Sequence, residues 1–161
     1  MLRNLDFAIL APIPETYLLA GREAIAAQLD AEIADPSLAF GTNEFEVFGE
    51  AQQKRGDKAV SVFIYASEPA ETPLNPEITW QAIYKSSSHS RRGRYTGKAL
   101  RRPANSISPQ DAWAVYWELT DLELLKKPLT MDRFCALGKK KNLGVRFLPK
   151  GPMLVEYPAS R

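Results

Sequence analysis

The sequence predicts an α+β domain, a small β-barrel or strongly curved sheet carrying two or three helices. Three observations lead there. Apolar runs of strand length outnumber helical stretches. They do not alternate with helices, as a doubly wound parallel sheet requires. The run Ala59–Ser67 carries bulk on both faces, with Val60, Val62, Ile64 and Ala66 on one and Ser61, Phe63, Tyr65 and Ser67 on the other. A strand of that kind is central or part of a barrel wall. A chain of 161 residues without internal repeats accommodates this as one domain over 1–161.

The elements follow in order. Phe7–Ala11 is a short apolar run ended by Pro12 and reads as a buried strand. Pro14 stands where a helix begins, Glu15 suits its first turn, and Leu18, Arg22, Ile25 and Leu29 keep helical spacing, so a helix is expected over about 14–29. Residues 30–43, with Asp35-Pro36 and Gly41, read as a connection. Phe45, Val47 and Phe48 suggest a short strand turning at Gly49. Gly56-Asp57 is a turn that launches the Ala59–Ser67 strand. Residues 68–77 form a proline- and glutamate-rich loop, and Ile78–Tyr84 is a strand bearing Trp80. A long loop covers about 86–110, which is rich in serine and arginine and poor in apolar side chains. Ala112–Leu119 is a strand with Trp113, Val115, Trp117 and Leu119 on one face, and Trp113 and Trp117 read as core. Asp121–Lys127 is a polar connection. Thr130 caps a short helix, Met131–Leu137, closed by Gly138. Val145–Leu148 and Met153–Tyr157 are strands joined by a tight turn at Lys150-Gly151.

Composition narrows the chemistry. One Cys and one His exclude a disulfide framework and a Cys/His zinc site, so no metal and no cofactor are expected. No stretch approaches the roughly 20 apolar residues of a membrane span. The short Phe7–Pro12 run, preceded by Asp6, lacks the basic region of a secretory signal. The lone Cys135 suits a reducing compartment, and a cytoplasmic location is expected. The net charge of +2 hides a division. Residues 1–84 hold 13 acids against 5 bases, a net of −8; residues 85–161 hold 16 bases against 6 acids, a net of +10. A basic face and an anionic partner explain that division, and interspersion of both sets on the folded surface explains it equally.

The basic segment is the first candidate site. Lys85, Arg91, Arg92, Arg94, Lys98, Arg101 and Arg102 place seven cations in 18 residues with no acid among them. Cations release counterions from phosphates, the main source of nucleic-acid affinity, and the interleaved Tyr95 offers a ring for base stacking. The alternative is a solvated loop kept soluble by its charge. Lys139, Lys140 and Lys141 form a second cluster, read either as a phosphate contact or as cations favoured by the preceding helix end. Tyr65 and Trp80 each stand near a strand end beside a polar loop, and with Ser67 they outline an aromatic wall for a planar ligand. Gly93–Lys98 falls short of a phosphate-binding loop, because three residues separate its glycines and Ala99 follows the lysine. Glu44 with Glu46, on one face of an expected strand, and Asp121 with Glu123 and Glu68 with Glu71, in loops, read as solvated surface. His89 has no evident partner.

From Gly56 onward the layout resembles the PUA-like superfamily of small β-barrels, nearest to EVE and ASCH domains. The likeness rests on Gly56-Asp57 before a strand ending Tyr65-Ala66-Ser67, and on the following strand with Trp80. It continues through Trp113-Ala114-Val115-Tyr116-Trp117-Glu118-Leu119, the step Leu122–Leu129 with Pro128, the short helix at Thr130–Leu137 and closing strands over 145–157. The resemblance implies a nucleic-acid-binding module that takes a modified or flipped base into an aromatic pocket. It places Tyr65, Ser67, Trp80 and Tyr95 at the base, and Arg91, Arg92, Arg94, Lys98, Arg101, Arg102 and Lys139–Lys141 at the phosphates of DNA or RNA. Two other readings stand beside it: a protein-interaction module docking an acidic partner on the basic loop, and a nucleotide- or RNA-processing enzyme working through His89 or Tyr95. Binding is favoured over catalysis, since the chain offers a single His.

Overall fold

The computed structural model describes residues 2–67 and 74–159. These form an α+β unit of two α-helices and one six-stranded mixed sheet, with three short 3-10 turns. In chain order the elements are β1 (Phe7–Pro14), α1 (Glu15–Asp30), β2 (Leu38–Thr42), α2 (Phe45–Arg55), β3 (Val60–Ser67), β4 (Glu77–His89), β5 (Val115–Thr130) and β6 (Met153–Glu156). The spatial order is β2-β5-β4-β3-β1-β6. β1 and β3 run parallel, from Ile9 opposite Val62 to Pro14 opposite Ser67, across a connection that holds α1, β2 and α2. All other neighbours are antiparallel.

β1 is buried on both faces from Phe7 to Ala11 because it lies inside the sheet with an apolar layer on either side. β6 pairs with it only over Phe7–Leu10. Pro12 and Pro14 therefore fall where β1 has one partner, which is where a residue without an N–H is tolerated. β1 runs past Pro12, where it was expected to end, to Pro14, which takes the N-cap position of α1 with an extended ψ of 133° rather than its first helical position. Gly21 lets α1 settle on β2, since a Cβ there would lie 2.6 Å from Leu38 Cδ1.

The apolar layer on the helix side joins β1, β3 and β4 to α1, α2, β2 and the first half of β5; Phe48, Tyr84 and Trp117 stack at its centre. The opposite face carries Leu10, Phe63, Tyr65 and Ile78, covered by Met131 and Phe134. β3 is central with bulk on both faces, as its sequence implies.

Several expectations are corrected. Phe45, Val47 and Phe48 belong to α2, not a strand: Phe48 and Ala51 turn inward at helical spacing, Glu46 and Lys54-Arg55 suit the dipole at either end, and Gly56 at φ +61° stops the helix. The 30–43 connection contains β2. β4 runs on to His89 and β5 on to Thr130, where a loop and a polar connection were expected. Their ladder is interrupted by three register shifts, one beside Asp121 at φ +55°, so the alternation is broken in the sequence although the strands continue. Met131–Arg133 is a 3-10 turn, shorter than the expected helix. Residues 145–148 form no strand; β6 pairs with β1 instead. The sheet is open with β2 and β6 at its edges, so the described strands do not close into a barrel. Of the loop expected at 68–77, residues 68–73 lie outside the described residues, as does the Glu68–Glu71 pair.

Candidate functional site

A cleft of about 700 Å³ opens at the C-terminal end of β1 and the start of α1. Pro12, Pro14, Tyr17 and Ser67 come from that side. Phe40–Glu44 come from β2 and the turn after it, Trp113 and Trp117 from the entry to β5, and Pro149–Pro152 from the approach to β6. Both edge strands of the sheet thus lead into the cleft lining. They come close there: a Cβ on Gly151 would stand 3.4 Å from Glu44 Cγ.

Trp113 is the most exposed aromatic group of this cleft; Tyr17, stacked on Phe40, is half-buried in the same lining. Trp113 retains 37% of its surface, whereas Trp117 and Phe40 beside it are buried and form the floor. Its indole lies directly on Gly41, where any Cβ would collide with the ring. The Trp113 backbone N–H donates to the Gly93 carbonyl at 3.3 Å, and the backbone N–H of Ala114 donates to Asn43 Oδ1 at 3.0 Å. The backbone is fixed by two hydrogen bonds and the ring rests on Gly41, so stacking on it costs little ordering entropy.

The Gly93 contact joins Trp113 to a basic turn. Arg91 and Arg94 exchange backbone hydrogen bonds at 2.9 and 3.0 Å, and Arg92 and Gly93 have φ of +54° and +82°. Positive φ at both central positions is the type I′ geometry of a tight hairpin turn. Gly93 is required twice, because its Cβ would also stand 2.6 Å from Ala112 Cα. Arg91, Arg92 and Arg94 are exposed on this turn. Arg94 donates to the Pro109 carbonyl at 2.9 Å.

The rest of the basic segment is built into the fold. Arg102 is buried, pairs with Asp111 at 3.4 Å, donates to the Ser106 carbonyl at 2.9 Å and lies over the Tyr116 ring at 5.0 Å. Arg101 pairs with Glu118 at 3.3 Å. Tyr95 is half-buried, packs on Tyr116, and donates its hydroxyl to the other Glu118 oxygen at 2.8 Å. Burial, together with that carboxylate, pushes its phenol up to about 12. Tyr95, Arg101 and Arg102 therefore tie the 90–113 segment to β5, with the Nε atoms of both arginines buried and unpaired among the described residues. Lys98 remains exposed.

Tyr65, Ser67, Trp80 and Tyr95 do not form one pocket. Ile64 is the residue opposite Trp80, so Tyr65 points to the other side of the sheet. Trp80 is 2% exposed in the helix-side core with Arg22 over its ring at 4.7 Å, and Tyr65 is 7% exposed in the opposite core. Of the four, Ser67 alone lines the cleft. Lys139–Lys141 are exposed beyond β6, after the segment in which Leu137 donates to Leu154 and Ala136 bridges Val155. His89 is exposed at the end of β4 and does not line the cleft. Glu44, read as solvated surface, lines it.

Sequence reasoning missed Trp113, Gly41 and Glu44. The signal for Trp113 was present, since it stands at a strand end beside a polar loop, the same feature that drew attention to Tyr65 and Trp80. Its alternation with Val115 and Trp117 assigned it to the core instead. Gly41 and Glu44 carry no such signal, because they enter the cleft lining with Trp113 only when β2 pairs with β5.

No known protein family, curated protein or solved structure matches this chain. No helix among the described residues is long and apolar enough to cross a membrane, and they contain no group of three or more His, Cys, Asp and Glu placed to hold a metal.

Proposed function

We propose that the protein binds single-stranded DNA or RNA, seating an unpaired base in the cleft against Trp113 while the Arg91–Arg94 turn and Lys98 meet the phosphates. One observation carries this reading: the residue that exposes its indole at the cleft is hydrogen-bonded, backbone to backbone, to Gly93 of the exposed arginine turn. The cleft is close to neutral, with Glu44 and Asp111 balanced by Arg102 and Lys150, and the unpaired cations stand beside it. That division suits a ligand with an aromatic base and a charged backbone. A PUA-like relationship belongs to the same proposal; its support is an α+β chain with a register-shifted sheet whose two edge strands both lead into the cleft.

Fluorescence anisotropy with labelled oligonucleotides of about ten residues tests it. Binding is expected at low salt, with log K falling against log salt at a slope of about −3, for four phosphate contacts at about 0.7 each. Trp113→Ala is expected to cost about 1–3 kcal/mol on every sequence. No binding at low salt, or a Trp113→Ala protein that binds like the parent, overturns the proposal.

A further inference from the structure

The cleft contains a group that a general polyanion binder does not want. Glu44 stands on the turn after β2, three positions from the Gly41 that seats Trp113, and its side chain lines the cleft. Its Oε1 atom lies against Gly151 rather than on a cation: a Cβ there would be 3.7 Å away. Among the described residues no Lys or Arg nitrogen pairs with it, although Arg102 and Lys150 line the same cleft. Its backbone N–H is occupied by Thr42 Oγ1 at 3.1 Å, which fixes the turn and leaves the carboxylate as a free acceptor. The other acid of the lining, Asp111, is taken up by Arg102 and Ser108.

An exposed carboxylate that pairs with no cation among the described residues, in the cleft that Trp113 also lines, repels phosphate and is open to donors. A carboxylate has two oxygens side by side, and two parallel N–H donors satisfy it best. Guanine offers such a pair on its Watson–Crick edge, the ring N1–H and the exocyclic N2 amine. Adenine and cytosine each present one amine next to an acceptor nitrogen that a carboxylate repels. Thymine and uracil present one N–H between two carbonyls that do the same.

We infer that the base taken into the cleft is guanine, stacked on Trp113 with its Watson–Crick edge held by Glu44. This rests on the nucleic-acid reading above and adds the identity of the base. It also gives Glu44 a function that needs no metal and no partner residue.

The test uses the full chain and labelled oligothymidylates of about nine nucleotides in which the central residue is dG, dA, dC, dT or deoxyinosine. The dG oligonucleotide is expected to bind about tenfold or more tighter than the dA, dC and dT ones, as a good bidentate pair discriminates. Deoxyinosine, which keeps N1–H and lacks the N2 amine, is expected to fall between. Glu44→Gln replaces one acceptor oxygen by a donor. It is expected to abolish the dG preference and to bind the all-dT oligonucleotide at least as tightly as the parent, since a negative charge has left the cleft. That second result separates a contact to the base from damage to the fold. Equal affinity for all five oligonucleotides, or a dG preference that survives Glu44→Gln, overturns the assignment of guanine while leaving nucleic-acid binding in place. Absence of binding to any of them at low salt overturns both.

Discussion

Tyr95 shows how single residues of the basic segment were recruited into the fold. Its phenol is packed on Tyr116 and donates to Glu118, a carboxylate that also holds Arg101. Burial and that neighbouring carboxylate hold the proton on oxygen, up to about 12. The sign follows from linkage. In the unfolded chain the phenol ionises near 10, and in the folded protein it ionises near 12. Between these values the native state keeps a proton that the unfolded state has lost, so stability is full below pH 10 and falls as pH rises toward 12. Tyr95→Phe removes the titrating group and one hydrogen bond. The variant is expected to be less stable at neutral pH by about 1 kcal/mol, and to lose stability more gently than the parent above pH 10. Urea unfolding at a series of alkaline pH values measures both. An unchanged alkaline slope would show that Tyr95 ionises freely in the fold. None of this was legible in the sequence, because Tyr95 is separated by 23 positions from the carboxylate that holds it. The sequence identifies an aromatic among cations, and the partner that turns it inward appears only when the segment folds back on β5.

At the scale of elements, legibility followed length and periodicity. β1, α1 and β3 were read correctly because their own side chains repeat at strand or helix period and end in proline, glycine or turn residues. β2 was missed because five residues, Leu38–Thr42, are too few to show a period, and it is an edge strand paired with β5 alone. α2 was misread because Phe45, Val47 and Phe48 fit strand alternation about as well as a helical face, and Phe45 is in fact exposed. The long basic segment was read as free because its anchors are distant. Gln28 is one of them. From the buried face of α1 its amide donates to the Ser37 carbonyl at 2.7 Å and the Leu100 carbonyl at 3.2 Å, and its oxygen accepts from the Ser37 N–H at 3.0 Å. One side chain thus ties α1 to the entry of β2 and to the 3-10 turn Ala99–Arg101 of the basic segment. Gln28→Ala leaves the buried Ser37 backbone without either partner. It is expected to cost about 3 kcal/mol in equilibrium unfolding, with amide exchange quickening in residues 99–102. A loss below about 1 kcal/mol would mean that water takes over these groups and that the segment is held elsewhere.

Across the whole molecule, the division of charge between the two halves of the chain is not a division between two faces. Arg101 and Arg102, from the basic half, are spent on Glu118 and Asp111 inside that same half, while Arg55 from the acidic half lies over the Tyr84 ring and donates to the Lys85 carbonyl. Two clusters of exposed cations stand in separate places. The Arg91–Arg94 turn lies at the junction of β4 and β5, and Lys139–Lys141 lie beyond β6. The first is hydrogen-bonded to Trp113 through Gly93, whereas none of Lys139–Lys141 lines the cleft. A short ligand held at Trp113 reaches the first cluster and not the second. Replacing Arg91 and Arg92 together by Gln is therefore expected to weaken an oligonucleotide of about five residues and to make its salt slope shallower by about 1.4, two phosphate contacts at 0.7 each. Replacing Lys139, Lys140 and Lys141 by Gln is expected to leave that short oligonucleotide within about twofold of the parent, and to lower affinity only when the ligand is extended to about twenty residues. Anisotropy titrations of both variants against both lengths, at two salt concentrations, measure the four terms. If the lysine variant weakens the short ligand as much as the arginine variant does, the backbone crosses the β6 edge directly, and the path of the strand over the molecule differs from the one drawn from Trp113 and its arginine turn.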